Sequence, residues 1–245
     1  MSRVEVIGNA TLYLGNALDV LPTIGRVDHF ISDPPYEASL HAAKANVTAL
    51  RMDSGPELKA VNFDAIDDIR EPIVDLFAAN CDGWVIVFCT VEGVARWADA
   101  FNPSSLKYKR ACVWVKPDST PQLNGQGPAQ GAECFVVCWG GSGHAKWNAG
   151  GKRGIYTHLV NNPERTGLHP TEKPRRLMSE IIADFTNPGE LICDPFMGSG
   201  TTGVAAVMAG RRFVGIELNE TYFDLSCKRL EDAQRQGSLF QEQAA

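Results

Sequence analysis

Short apolar runs recur along the chain, each stopped by glycine, proline, aspartate or asparagine. They alternate with stretches whose apolar positions repeat every three or four residues. The first pattern predicts strands and the second helices. Strands are expected at 11–14, 27–32, 84–89, 110–115, 133–139, 191–193 and 211–216. Helices are expected at 17–21, 71–80, a stretch ending at Trp97, 172–185, 203–209 and 220–234. The run from Trp84 to Cys89 is apolar without a break, as in a strand covered on both faces. This alternation predicts an α/β fold: a mostly parallel seven-stranded sheet with helices on both faces. Asn187-Pro188-Gly189 stops one helix, and Asp33-Pro34-Pro35 stops one strand, because proline removes a ladder donor and fixes φ.

Three segments fit neither pattern. Residues 37–70 are polar and mixed and read as a long loop near the functional end, 117–131 are rich in Pro, Gly and Gln, and 140–154 are glycine-rich. A chain of 245 residues, 44% hydrophobic and 21% charged, suits one α/β domain spanning 1–245 with an elaborated loop system. No apolar run is long enough for a membrane helix, and Met1-Ser2-Arg3-Val4-Glu5 is not a signal-peptide layout, so a cytoplasmic location is expected. The seven cysteines are scattered through apolar strings. They read as reduced core thiols; Cys134 and Cys138, the nearest approach to a metal spacing, flank Phe-Val-Val within a strand. No metal is expected. A net charge of −6 argues at first against nucleic acid, but between Ser105 and Arg176 there are 11 Lys/Arg against 4 Asp/Glu. A basic middle in an acidic chain can supply a phosphate-facing surface.

Phe196-Met197-Gly198-Ser199-Gly200-Thr201-Thr202 lies between an expected strand and helix. Glycines there let the backbone approach a ligand, and the helix N-terminus offers unpaired N–H groups. Glu217 ends the next strand, 19 residues after Gly198. A carboxylate at that spacing can accept both hydroxyls of a ribose. By itself this reads as a Gly-x-Gly turn for a nucleoside cofactor, with NAD and S-adenosylmethionine both open. It gives less sign of a pyrophosphate cradle than the full dinucleotide fingerprint.

Asp33-Pro34-Pro35-Tyr36 stands where a buried strand ends, and in open α/β sheets ligands bind at the carboxyl ends of strands. The exocyclic amine of adenine or cytosine is a poor nucleophile because its lone pair is delocalised into the ring. The Asp33 carboxylate and the Pro34 carbonyl can accept its two N–H bonds and localise the lone pair toward an electrophilic methyl. The prolines hold those acceptors in fixed directions. Tyr36 offers a ring face for an extruded base. Ring-carbon methylation would need a nucleophile such as a Pro-Cys thiolate, and the chain has no Pro-Cys dipeptide. The bland alternative, a strand end and a turn, would produce these four residues by chance in roughly one chain in a thousand.

From Tyr13 to Leu230 the sequence resembles the β-class amino DNA methyltransferases, in which the catalytic segment precedes the cofactor segment. Asp33–Tyr36 matches the catalytic motif, 194–202 the cofactor loop, and Gly215-Ile216-Glu217 the ribose-binding strand end. His169-Pro170-Thr171-Glu172-Lys173-Pro174 matches the segment before the cofactor loop. Trp114-Val115-Lys116-Pro117 and Glu133 look like further strand-end features of the family. The resemblance implies a class I, Rossmann-like, circularly permuted methyltransferase fold, S-adenosylmethionine as cofactor, and double-stranded DNA as partner. It implies catalysis by Asp33, Pro34, Pro35 and Tyr36. Cofactor contacts are implied for Asn16, Asp33, Thr171, Lys173, Asp194, Phe196, Gly198, Ser199, Gly200, Thr201, Thr202 and Glu217, with Thr171 and Lys173 near the methionine part. Homodimerisation and a cognate restriction endonuclease are compatible with it.

Two departures stand out. The first strand end carries Asn16 where the family often has Asp; an amide can still accept from an amine and donate to a ring nitrogen. The interval 140–168, where the family places its target-recognition insert, is short. Readout of DNA is therefore expected to lean on Lys116, Lys146, Trp147, Lys152, Arg153 and Arg165, and on the 37–70 and 118–131 loops. The expected activity is transfer of a methyl group to the N6 amine of adenine, because the Asp-Pro-Pro-Tyr form tends to go with adenine. N4-cytosine methylation is the nearest alternative, and a non-catalytic DNA- and cofactor-binding module is the alternative of another class. A Rossmann-type oxidoreductase would leave the Asp-Pro-Pro-Tyr and His-Pro-Thr-Glu-Lys-Pro segments unexplained.

Overall fold

The computed structural model describes residues 3–36, 66–121, 126–161 and 172–242. Among them a single sheet has nine strands: β1 (Val4–Ile7), β2 (Ala10–Leu14), β3 (His29–Ser32), β4 (Trp84–Cys89), β5 (Lys107–Val115), β6 (Ala132–Trp139), β7 (Ile155–Thr157), β8 (Leu191–Asp194) and β9 (Arg212–Glu217), in the order β1-β2-β9-β8-β3-β4-β6-β5-β7. Strands β2, β9, β8, β3 and β4 run parallel, and β6 is antiparallel to both β4 and β5. The helices are α1 (Ala17–Val20), α2 (Arg70–Asn80), α3 (Gly93–Phe101), α4 (Arg175–Phe185), α5 (Thr201–Met208) and α6 (Glu220–Glu242).

The count exceeds the expected seven by two edge strands. β1 pairs only with β2 and exposes Val6, so it lacks the buried alternation that marks a strand in sequence. β7 is three residues long and pairs with β5 inside the segment read as a recognition insert. There Trp147 packs edge-on against Phe185 at 4.7 Å, and the Asn148 amide donates to the carbonyl oxygens of Ala183 and Thr186. The described part of that segment is thus tied to α4. Of the 37–70 loop, 37–65 lie outside the described residues; Ile66 is buried in the core and Arg70 opens α2. Helix α4 starts at Arg175 rather than at residue 172, because Pro174 holds an extended ψ of 127° as its N-cap.

Period-two alternation sorts the central strands into two cores. Trp84, Ile86 and Phe88 face one layer, with Leu177, Ile181 and Ile182 of α4 and Ala205 of α5. Val85, Val87 and Cys89 face the other, with Ile73 and Phe77 of α2 and Trp97 and Phe101 of α3. Each such fully buried side chain contributes about 1.5–3 kcal/mol. Covering on both faces is why β3 and β4 have no polar alternation. No helix among the described residues is long and apolar enough to cross a membrane.

The connections position the functional end. From β8 the chain passes through α5 to β9 on one side, while from β3 it leads through α2 to β4 on the other. Adjacent strands that diverge in this way leave a crevice beyond their carboxyl ends. Asp33 follows β3 and Asp194 closes β8, so the sheet brings the two ends of the chain's chemistry together across 161 positions of sequence (33 to 194).

Candidate active site

At the end of β3, Asp33 meets Lys173 from the segment before α4. Lys173 Nζ donates to Asp33 Oδ2 at 2.6 Å and to the Tyr36 hydroxyl at 3.0 Å, and lies 3.3 Å from Glu133 Oε2. The Tyr36 hydroxyl in turn donates to Glu133 Oε2 at 3.1 Å. Lys116, just past β5, bonds the other oxygen of Glu133 and lies over the Trp114 ring at 4.6 Å. Antiparallel pairing sets Glu133 opposite Trp114, which brings Lys116 within reach. Lys173 also sits 5.1 Å from the centre of the Phe88 ring.

Two carboxylates and two lysines share this pocket, and the arithmetic of partners decides their protonation. Burial raises Glu133, but two lysines overcome it and hold the carboxyl down at about 2. Burial also raises Asp33, which has only Lys173 beside it and a like charge on Glu133; its pKa stays above the ordinary value. Lys173 is disfavoured by burial, yet Asp33, Tyr36 and Glu133 push it well above its usual range, so it is a fixed cation. One oxygen of Asp33 is taken by Lys173. The other, Oδ1, is buried without a hydrogen-bond partner among the described residues. A desolvated carboxylate oxygen left open costs free energy unless a donor fills it. It suits an N–H group.

Next to this corner is the glycine loop. Asp194, 1% exposed, accepts from Ser32 Oγ at 3.0 Å and from the Phe196 amide at 3.1 Å, locking the ends of β3 and β8 together; burial pushes its pKa up to about 7. Gly200 is the N-cap of α5 with φ +81°, and an added Cβ would lie 2.8 Å from Ser226 Cβ. Gly203 lies in α5 itself, where a Cβ would meet the Phe213 ring at 2.6 Å. The spacing is therefore Gly198-x-Gly200-x-x-Gly203, and the reading as a two-glycine turn is incomplete: the third glycine serves close packing of helix on strand. Thr201 and Thr202 begin α5 and are buried, as is Ser199. Glu217 accepts from the Gly198 amide through Oε2 at 3.0 Å and from the Asn219 amide through Oε1 at 2.7 Å. Each oxygen keeps a lone pair for a ribose hydroxyl. Asn16 caps α1, its Oδ1 accepting from the Leu18 amide at 2.9 Å, which leaves the amide NH₂ to donate to a ligand. This donor set fits a nucleoside.

Sequence reasoning named most of these positions but not what holds them. Arg229 of α6 donates to the Ser199 carbonyl at 2.7 Å and pairs with the buried Glu172 at 2.7 Å, joining the glycine loop to the segment that carries Lys173. Nothing local in α6 signals this. Glu133 was legible only as a strand-end feature, and its bond to Lys116 could have been found by folding the β5–β6 hairpin on paper. Among the residues expected to face DNA, Lys116 is consumed by Glu133, and Lys152 by Glu180 at 2.7 Å and by Asp184. Lys146 and Arg153 are exposed. Thr171 and Arg165 lie outside the described residues. No cluster of three or more metal-ligating side chains is found among the described residues.

Gly200→Ala tests the loop directly. A positive φ and a backbone-side collision cost roughly 1–3 kcal/mol, so the melting temperature of the ligand-free protein should fall by roughly 2–10 °C. Calorimetry showing an unchanged Tm would mean that the loop relaxes without strain.

The DNA methylase family profile matches residues 27–228. Over 223 residues, 84% of this chain and 82% of the relative, the sequence is 52% identical to the Type II methyltransferase M2.DpnII of Streptococcus pneumoniae. A shorter match, 48% identical over 65 residues, covers 26% of this chain and 22% of the DNA adenine methyltransferase YhdJ of Escherichia coli (strain K12). The structure of the M1.HpyAVI–SAM complex superposes with a TM-score of 0.69 at 27% identity, covering 90% of this chain and 98% of that one.

Proposed function

The chain belongs to the DNA methylase family of N6/N4 amino methyltransferases, and from that premise we propose that it methylates the N6 amine of adenine in double-stranded DNA, with the base extruded from the helix. The observation that carries the reading is the unpartnered Asp33 Oδ1 beside Tyr36 at the end of β3. S-adenosylmethionine is the methyl donor, and when bound it supplies an electrophilic sulfonium methyl. Gly198, Gly200 and the start of α5 would cradle it, Glu217 would take its ribose hydroxyls, and Asn16 would donate to its adenine. Phe196, Ser199, Thr201, Thr202 and Asp194 shape that cradle.

Asp33 Oδ1 accepts one N–H of the target amine and the Pro34 carbonyl accepts the second. With both hydrogens held, the nitrogen lone pair turns out of the ring plane. Pro35 keeps the two acceptors from drifting, which matters because a misplacement of about 1 Å can cost 100-fold in rate. Tyr36 presents its ring to the base, and its hydroxyl is anchored by Glu133. Lys173 holds Asp33 ionised against burial, and Asp33 is the nearest acceptor for the proton that the methylated amine sheds. Glu133, itself held by Lys116, fixes Lys173 in turn. Extrusion costs a few kcal/mol of unstacking, which contacts around the flipped base must offset.

YhdJ, 48% identical over its matched stretch, is a DNA adenine methyltransferase. The Asp-Pro-Pro-Tyr form points the same way. The same acceptors would hold the N4 amine of cytosine. Digestion and mass spectrometry of DNA from cells expressing the protein decide between them: N6-methyladenine is expected, and N4-methylcytosine without it would overturn the assignment. The Type II relative suggests a restriction endonuclease with the same recognition sequence, and a homodimer would extend the short 140–168 interval. The bacterial cytoplasm, at the nucleoid, is where such an enzyme works.

A further inference from the structure

The basic middle of the chain splits in two when it folds. Lys116 and Lys173 turn into the catalytic corner and Lys152 is taken by Glu180 and Asp184. Five other cations stay on the surface: Lys107, Lys109, Arg110, Lys146 and Arg153 are all exposed, and none has an ion pair or side-chain hydrogen bond to another described residue. Four of them gather at the far end of the sheet. Lys107 opens β5 and pairs in register with Trp139, the last residue of β6, which faces Trp84, the first residue of β4. Lys146 joins them through its backbone carbonyl, which accepts from Trp84 Nε1 at 2.5 Å. Asp33 and Glu133 lie at the other end of these strands, roughly 15–20 Å away at about 3.3 Å per residue.

A recess of about 360 Å³ opens among these cations. Trp84, Trp147 and Phe185 form its aromatic wall, Gly150 and Gly154 leave room beside them, and Lys109 and Arg110 both line it. Neighbouring strand residues ordinarily point to opposite faces. Here the β5–β6 register shifts between Tyr108 and Arg110, and this bulge is what lets two adjacent cations share one cavity. The nearby carboxylates are already engaged: Asp82 with Arg26, Glu190 with His29, Glu180 and Asp184 with Lys152. The local charge balance is positive, around a recess with an aromatic wall.

We propose that this end of the molecule is a second nucleic-acid site, binding single-stranded DNA with phosphates on Lys107, Lys109, Arg110 and Lys146 and one base in the recess against Trp147. A duplex keeps its bases stacked and cannot fill the slot, whereas an unpaired strand offers a ring and a phosphate together. The site is separate from the catalytic corner and does not depend on which amine that corner methylates.

Oligothymidylate is the probe, because thymine has no exocyclic amine for Asp33 to hold. Fluorescence anisotropy should show the wild-type protein binding labelled oligothymidylate, with affinity falling steeply in salt. Lys109→Gln with Arg110→Gln should weaken binding at least tenfold and reduce the salt slope by about 1.4, at roughly 0.7 per phosphate contact on a single strand. Trp147→Leu should weaken it roughly tenfold without changing the slope. Methyl transfer to a short duplex should be unchanged in the Gln variants, which also reports that they are folded. Asp33→Ala should lose methyl transfer and keep oligothymidylate binding. Absent binding by the wild type, binding indifferent to Lys109 and Arg110, binding of duplex alone, or binding lost with Asp33→Ala would each overturn the proposal.

Discussion

Replacing Asp33 with alanine is expected to abolish methyl transfer, by roughly 10³-fold or more in kcat, while the cofactor still binds. The magnitude follows from what is removed. Loss of one preorganised hydrogen-bonding group aimed at developing charge costs about 10²–10³ in rate. In the proposed mechanism Asp33 is in addition the acceptor that localises the amine lone pair, and Pro34 alone cannot hold both hydrogens. Among the described residues, the cradle around Gly198, Gly200 and Glu217 makes no hydrogen bond to the Asp33 side chain. Isothermal titration with S-adenosylmethionine should therefore give a Kd within about threefold of the wild type, beside single-turnover rates near background. A variant that transfers methyl groups at the wild-type rate would remove Asp33 from the mechanism.

Lys173→Met should be nearly as damaging, and its signature is in the pH profile. In the wild type, burial raises the Asp33 pKa and Lys173 pulls it back. Catalysis needs the carboxylate, so activity rises with pH through that pKa. Without the lysine the pKa goes higher, and the acid limb of kcat should move to higher pH, with a loss of roughly 10²-fold near neutrality. Stability changes in the corresponding sense. Glu133, held at about 2, contributes stability that is present above its unfolded pKa near 4.5 and lost as pH falls toward 2. Asp33, raised in the fold, contributes in the opposite sense: stability present below its unfolded pKa and lost as pH rises through the folded one. Removing Lys173 weakens the first and enlarges the second. The variant should be destabilised by roughly 3–5 kcal/mol near pH 7, with the gap to wild type narrowing as pH falls toward 5 and the carboxyls take up protons. Chemical denaturation at several pH values measures this, and a gap that stays constant with pH would mean that Lys173 does not set their charge.

Arg229 and Glu172 give these effects a route to the cofactor loop. Their buried pair ties Ser199 to the residue before Lys173, so the segment carrying the lysine is bonded to the loop beside Glu217. This is a tertiary device with no local signature. Its members come from α6, from the loop before α5 and from the segment preceding α4, and docking of α6 against α5, β2 and β9 brings them together.

Much was readable before any coordinates. The apolar run at 84–89 identified a strand covered on both faces, because nothing else hides six consecutive side chains. Asp33-Pro34-Pro35-Tyr36 announced the end of β3, and its carboxylate pointed to the amine-holding role proposed for that corner, since proline geometry and carboxylate chemistry are local properties. Glu217 followed from its distance beyond the glycines. The family and the α/β class rest on these segments and their order. Other features were invisible for a physical reason. β1 and β7 are edge strands, stabilised by pairing on one side rather than by burial, so their hydrophobic pattern is weak. The partner of a charge is a property of space. Lys116, Lys152 and Lys173 look alike in sequence, yet one anchors Glu133, one bridges Glu180 and Asp184, and one holds Asp33. Lys109 and Arg110, adjacent and unpaired among the described residues, come to share a cavity through a bulge. The sequence determined which chemistry the chain carries and at which strand ends; the tertiary structure alone decided which charges neutralise one another, because Coulombic and hydrogen-bonding partners are chosen by distances of a few ångströms that chain order does not encode.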